Sequence, residues 1–237
     1  MAKKKDERTK LPNLTDLVNA RNPFVHLNES ELRELLSRGK LREFRAGSKL
    51  FSSGEQVDGI FCLVTGAVKV SQQHRGREFT VRFAAKGDWV GHRSIFTRPT
   101  YLGAATAREP TKAFFVPKSL LLQFFGTNTD FASHLIRQIS SDLEATEKKF
   151  LEYKDLNVPS RLISLFRVLE ENFGSKSGEG SMLQLRLSKV EISEMIGASQ
   201  EVVVRQLSKW KRDRLIWESG KRYRLSDRLL GRIIREQ

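Results

Sequence analysis

The stretch Leu187–Trp210 restricts what this chain can fold into more than any other part of it. Ser188 precedes a run that carries Ile192, Met195 and Ile196 on one helix face. Gly197 follows, and Ser199 then precedes a second run with Val203, Leu207 and Trp210 on one face. A serine oxygen just before a helix accepts a first-turn N–H. Apolar residues three or four apart mark the side a helix buries, and glycine enters the left-handed turn that ends a helix. Two short helices joined by such a turn form a helix-turn-helix, with an ordinary αα-hairpin as the plainer alternative. The same phasing leaves Gln200, Glu201, Val204 and Arg205 on the outer, N-terminal side of the second helix, the part of this motif that reaches base edges. Arg205 can donate two bonds to guanine, Glu201 can accept from a cytosine amino group, Gln200 can pair with adenine and Val204 can touch a thymine methyl. Ser188, Lys189, Ser199 and Lys209 are expected on phosphates, where they would set the register.

Beyond the second helix, Leu215–Leu225 reads as two short strands flanking Ser219-Gly220, the signature of a hairpin. Lys221, Arg222 and Arg224 lie at its tip and second strand and are expected to meet phosphates as a wing. Ser226 can cap a final helix with Leu229, Leu230, Ile233 and Ile234 inward. The formal net charge of +14 agrees with this reading. It favours a polyanionic partner, nucleic acid first and an anionic membrane surface second.

Upstream the period changes. Asn28–Leu36 reads as a short helix capped by Ser30 or Asn28. From about Leu41 to Pro117 short apolar runs (Lys49–Phe51, Gly59–Val64, Ala67–Val70, Phe79–Phe83, Trp89–Val90, Ala104–Ala107, Ala113–Val116) alternate with glycines. That spacing predicts a small antiparallel barrel or sandwich, with the polar stretch Gln72–Glu78 as an exposed hairpin tip. Then Phe131, Leu135, Ile139, Leu143, Thr146, Phe150 and Tyr153 recur every three or four residues, one stripe on a long helix. The stripe must be covered, either by its own domain or by the same helix of a second copy. Pro159 marks a break, Ser160–Asn172 a further helix and Gly174–Ser181 a loop.

Several chemistries are disfavoured. The one cysteine, Cys62, cannot build a disulfide framework or a Cys-ligated iron–sulfur cluster, and its apolar setting suits a buried small side chain. There is no nucleophile–base–acid constellation, phosphate loop or metal-ligand spacing, so a non-enzyme without a metal is expected. No apolar run approaches a membrane span. The start Met1–Arg8 is basic without a following apolar region, which does not read as a signal peptide. A cytoplasmic location is expected.

These motifs together resemble the cAMP receptor protein/fumarate-nitrate reduction regulator (CRP/FNR) family of bacterial transcription factors. Gly47–Glu55 and Gly66–Val70 are similar to the family's β-roll, Gly87–Gly91 to the strand entering its effector pocket, and Leu187–Ile216 to its helix-turn-helix, with Glu201 and Arg205 as the recognition pair. The resemblance implies an α+β chain with four parts. They are a flexible arm (1–22), a cyclic-nucleotide-binding-like jelly roll (23–128), a dimerisation helix (129–157) and a winged helix-turn-helix (158–237). It implies a homodimer joined through Leu135, Ile139, Leu143, Thr146, Phe150 and Tyr153, bound to a palindromic double-stranded DNA operator, with RNA polymerase as a further partner.

The effector site departs from the family's cAMP-binding pattern. That pattern has a ribose-binding Glu after Gly91 and then an Arg-Ser or Arg-Thr pair for the cyclic phosphate. Here His92 stands in place of the Glu, and Leu102-Gly103 in place of the pair. The candidate pocket residues are Gly91, His92, Arg93, Ser94, Leu102, Gly103 and Thr146, with Arg93 and Arg98 near enough to serve an anion differently. An unknown effector or none is expected, and a cyclic-nucleotide-responsive regulator is the alternative. Haem, for which His74 and His92 are the available axial ligands, is disfavoured because a lone histidine is more often a surface or hydrogen-bonded residue.

Overall fold

The computed structural model describes residues 23–178 and 180–235, with side chains described through Gly231. The expected arm, and the side chains of Ile233 and Ile234, lie outside the described residues. The chain divides into two compact units. One takes in residues through Val68 together with Lys86–Ile139, and the other Lys69–Ala85 together with Ser140 onward.

In the first unit a 3-10 turn, Pro23–His26, leads to α1 (Glu29–Arg38). Asn28 is the cap: its side chain accepts the Glu31 N–H while Glu31 reaches back to the Asn28 N–H, which satisfies two first-turn donors at once. A four-stranded antiparallel sheet follows in the order β1-β8-β3-β6, made of β1 (Lys40–Phe44), β8 (Thr111–Pro117), β3 (Gly59–Thr65) and β6 (Trp89–Val90). β3 is buried from Gly59 to Val64, Cys62 included, and so reads as an unbroken apolar run. β1 lies at the sheet's edge with only Leu41 and Phe44 half-buried and the rest exposed, which is why a sequence as polar as Lys-Leu-Arg-Glu-Phe gives little strand signal. β2 (Lys49–Phe51) pairs with β7 (Ala104–Ala107). α2 (His92–Ile95) and α3 (Lys118–Thr127) complete the unit with the first part of α4 (Thr129–Asp155). Phe24, Trp89, Phe124 and Phe131 form a connected ring cluster in its core, Phe24 stacked on Trp89 at 5.3 Å.

The second unit contains the neighbouring strands β4 (Val68–His74) and β5 (Arg77–Ala84), except for Val68 itself, and the rest of α4. α5 (Val158–Phe173) starts on the Asn157 cap with proline in its first turn, where the absent N–H costs nothing. The expected break falls at Leu156-Asn157, just ahead of Pro159, and the helix after it begins at Val158 rather than Ser160. The expected loop over Gly174–Ser181 instead holds β9 (Gly174–Lys176), which pairs with β10 (Gly180–Leu183). β10 also pairs with β12 (Arg222–Ser226), giving a sheet of order β11-β12-β10-β9 with β11 at Ile216–Ser219. Leu183, opposite Gly174, and Leu225, opposite Ser181, are fully buried in this sheet, and that burial organises a segment whose Gly and Ser content reads as loop. α6 (Lys189–Ile196) and α7 (Gln200–Arg212) precede β11, and α8 (Asp227–Arg235) ends the described chain. Among the described residues no helix is long and apolar enough to cross a membrane.

Candidate nucleic-acid interface

Local chemistry sets the two helices. The Ser188 side chain accepts the Glu191 N–H at 3.2 Å, and Glu191 accepts the Ser188 N–H and hydroxyl, each at 2.8 Å. Gly197 ends α6 at φ 61°, ψ 44°, a left-handed conformation natural to glycine. Ser199 caps α7 through the Val202 N–H. Ile192, Met195, Ile196, Val203, Leu207 and Trp210 are all buried, and the Trp210 ring meets Phe166 of α5 at 6.1 Å. With that side fixed inward, Gln200, Glu201, Val204, Arg205 and Lys209 are exposed. Val204 is 39% exposed, an uncovered apolar residue amid the polar ones.

The wing hairpin pairs Trp217 with Arg224, Glu218 with Tyr223 and Ser219 with Arg222. Gly220 and Lys221 are therefore the two turn residues, one position beyond the Ser219-Gly220 pair read from sequence. Lys221 and Arg222 are exposed at the tip. The Arg224 guanidinium lies 4.0 Å over the Trp217 ring. The Ser226 hydroxyl accepts the Leu229 N–H, as expected of the cap of α8.

Two residues expected on phosphates are engaged elsewhere. The Ser188 hydroxyl is used by the Glu191 cap. Lys189 Nζ donates to Glu218 of β11 and, at 2.8 Å, to the Tyr223 hydroxyl of β12. Burial, and then the Lys211 charge, pull the Lys189 ammonium below the usual lysine range. Burial, and then Glu191, push the Tyr223 phenol up to about 12. Glu218, Tyr223 and Lys211, none of them a candidate from the sequence, are the side chains that gather around Lys189 or share its carboxylate partner. Placing the hairpin turn one residue later sets Glu218 and Tyr223 opposite each other and would have found the pair.

In the first unit Gly91 has φ 93°. A Cβ there would stand 3.0 Å from the Tyr101 ring and 3.5 Å from the Phe51 ring. Tyr101 stacks on Phe51 with centroids 4.0 Å apart, and its hydroxyl donates to the Gly59 carbonyl at 2.6 Å. Burial pushes the Tyr101 phenol up, which keeps it a donor. His92 is buried with its ring edge-on to Trp89. The Ser94 hydroxyl accepts the Leu102 N–H at 3.1 Å. Arg93 and Leu102 are exposed and Gly103 is half-buried. Thr146, in the second unit, is exposed and its hydroxyl donates to the Asp142 carbonyl of its own helix.

Comparison with known proteins matches this geometry to one family. Residues 41–128 match the cyclic nucleotide-binding domain, and residues 160–229 the Crp-like helix-turn-helix domain. The global nitrogen regulator of Synechococcus elongatus is 30% identical over 200 residues, covering 80% of this chain and 90% of the relative. The chain belongs to the CRP/FNR family of transcription regulators. Its architecture is that family's: an N-terminal β-roll, a long helix and a C-terminal DNA-binding winged helix-turn-helix. Another CRP/FNR relative, the CRP-like cAMP-activated global transcriptional regulator of Mycobacterium tuberculosis, is 25% identical over 205 residues, covering 86% of this chain and 92% of the relative. Among solved structures, the c-di-GMP-responsive regulator CLP of Xanthomonas campestris superposes with a TM-score of 0.70 at 21% identity, covering 84% of this chain and 99% of that one. FixK2 of Bradyrhizobium japonicum gives 0.69 at 22% identity, covering 81% and 96%. A nitrogen regulator, a cAMP-activated regulator and a c-di-GMP-responsive regulator share this frame, so CRP/FNR membership does not by itself name a signal.

Proposed function

We propose that this protein is a homodimeric regulator that reads a palindromic DNA operator through Gln200, Glu201, Val204 and Arg205, and that its β-roll does not use the family's cyclic-phosphate clamp. The carrying observation is the exposed N-terminal end of α7, held outward by the buried Val203, Leu207 and Trp210. Lys209, Lys221 and Arg222 surround it with exposed cations, and Ser199 keeps a hydroxyl proton for a phosphate beyond its capping bond. Dimerisation is supported by α4. Ile136, Ile139, Leu143 and Phe150 are 36–58% exposed along it, an apolar stripe of the kind that helices bury against a partner. Leu135 is fully buried within its own unit, so it supports the stripe from beneath. Thr146 lies on the exposed face between Leu143 and Phe150. A two-fold dimer presents two recognition helices to half-sites about one helical turn apart. RNA polymerase is the further partner this role implies, and the cytoplasm the compartment. The reading involves no catalytic step.

The effector part rests on the aromatic rings beside Gly91. Tyr101 and Phe51 pack against the backbone where the family's ligand enters, and Leu102 and Gly103 offer no bidentate cation for a phosphate. Selection of bound sequences from random duplexes, with sedimentation of the complex, tests the first part. Enrichment of a palindrome bound by two chains is expected, and equal affinity for random DNA overturns it. Calorimetry with cAMP, cGMP and c-di-GMP tests the second. No binding is expected, and tight binding would establish the cyclic-nucleotide-responsive alternative.

A further inference from the structure

The inference concerns Lys189, and it rests on the DNA-binding reading above. Position alone suggests a phosphate contact: Lys189 opens the first helix of a helix-turn-helix, next to the serine cap. Its surroundings say otherwise. The ammonium is directed at the wing, where it bonds the Glu218 carboxylate and the Tyr223 hydroxyl and lies 5.0 Å from the Tyr223 ring centre. Glu218 and Tyr223 face each other across β11 and β12. The Glu218 side chain is only 15% exposed, and its other oxygen takes Lys211 Nζ at 3.5 Å, from the last turn of α7. One half-sequestered carboxylate thus joins the start of the first helix, the end of the recognition helix and the wing. The Leu187 N–H donates to the Lys221 carbonyl at 2.8 Å, a second tie from the entry of α6 to the wing turn.

We propose that Lys189 and Glu218 are positioning residues for DNA binding, a rivet that sets the wing against the two helices and so aims Lys221 and Arg222, and that Lys189 does not itself neutralise a phosphate. Breaking one side of such a pair leaves the other charge in a poorly solvated place. Turning Lys189 toward a phosphate would leave Glu218 with only the longer Lys211 contact, whereas Lys221 and Arg222 are already exposed and reach DNA at no such cost. Lys211 shares the carboxylate, so the cluster keeps a net positive charge toward the duplex while its geometry stays fixed.

The two roles predict opposite signs for a change at Glu218. If Lys189 meets a phosphate, K189M weakens binding and lowers the salt slope by about one. E218Q then tightens binding, because it removes a negative charge near DNA and releases two lysines. If the pair is a rivet, K189M and E218Q weaken operator binding alike, each by roughly tenfold, and the double variant is no weaker than either single one. The measurement is anisotropy titration of the full chain on its selected operator over a salt series, with a thermal melt of each variant. K189R, which keeps the charge, should restore most of the affinity. E218D, which keeps the charge but shortens its reach, replaces E218Q where that variant melts below the assay temperature, and should weaken binding likewise. Effects of opposite sign, additive effects or no effect overturn the rivet. Loss of operator preference by the unaltered protein would instead overturn the DNA-binding reading, so the two failures are distinct.

Discussion

The Tyr153 ring lies against the turn glycine Gly197, and its hydroxyl donates to the Met195 carbonyl at 2.8 Å. The end of the long helix thereby grips the turn between α6 and α7, and Arg161 Nη1 reinforces it with a bond to the Ile196 carbonyl at 2.9 Å. Tyr153 belongs to the apolar stripe read from sequence, yet its polar end serves the reading head of its own chain. Y153F should cost about 1 kcal/mol, the usual net value of one such bond. G197A should cost roughly 1–2 kcal/mol, because alanine resists the left-handed turn. A Cβ there would stand 3.4 Å from the ring, so the penalty is conformational more than steric, and G197N should lose less than G197A. Urea denaturation measures all three.

Glu194 makes the second tie to the reading head. Its carboxylate accepts the Thr80 N–H at 2.9 Å, joining β5 to α6. Thr80 is 4% exposed, so removing the acceptor strands a buried donor. E194A should cost about 1–3 kcal/mol, and E194Q, which keeps an acceptor oxygen, should cost less. Amide hydrogen exchange gives the local readout: protection at Thr80 should fall in E194A and persist in E194Q.

The parts legible in sequence are those whose causes lie within a few residues. Ser188, Gly197 and Ser199 announce α6 and α7 because capping and turn chemistry are local, and the burial of Val203, Leu207 and Trp210 follows from helical phase. Lys189 shows where this stops. Its partner Glu218 is 29 residues away, so charge and position suggest a phosphate contact while packing directs the ammonium to the wing. The same holds for Tyr101, whose place on Phe51 comes from strands brought together by the fold, and for β9, which becomes a strand only because β10 is paired on its other side with β12.

Arg205 and Lys221 should separate base reading from phosphate contact. R205A should lose about 1–3 kcal/mol on the selected operator and relax the preference at one base pair. K221A should weaken operator and random DNA alike and lower the salt slope by about one. Anisotropy titrations on operator and mutated operator, repeated across a salt series, distinguish the two patterns.

Leu143 is 58% exposed near the middle of the α4 stripe. In the proposed dimer, L143E would place a carboxylate on each side of the two-fold contact, where the like charges would repel each other. Sedimentation should show the dimer shifted to monomer, and operator affinity should fall more than tenfold because two half-sites no longer act together. An unchanged dimer would remove this stripe from the interface.

His26 and His134 touch through Nε2 and Nδ1 at 3.1 Å, and burial, then His26, then Arg137, hold the His134 imidazole below its ordinary 6.5. The unfolded chain therefore binds a proton more readily than the folded one. The stabilisation from the neutral His134 imidazole is complete above about pH 6.5 and is lost as pH falls through its lowered native value. Asn128 holds the same corner by donating to the His26 carbonyl at 3.1 Å and to the Glu31 carboxylate at 2.9 Å. H134N should flatten the acid side of the stability profile, seen as urea midpoints that converge with those of the unaltered protein as pH falls below 6.

Tyr223 gives the opposite dependence. Its phenol is pushed from 10.0 up to about 12 by burial and then by Glu191, so the folded state keeps its proton after the unfolded chain has lost it. Between those values the unfolded chain binds fewer protons, and stability falls as pH rises. The contribution is complete below pH 10 and is lost as pH passes through about 12. Y223F cannot titrate, so the difference in urea midpoint between it and the unaltered protein isolates this one group from the lysines that ionise nearby. That difference should be constant below pH 10 and drift steadily in favour of Y223F above it. A parallel shift at all pH values would mean that the Tyr223 hydroxyl reaches solvent in the folded protein, and that the bond from Lys189 leaves it as acidic as an ordinary phenol.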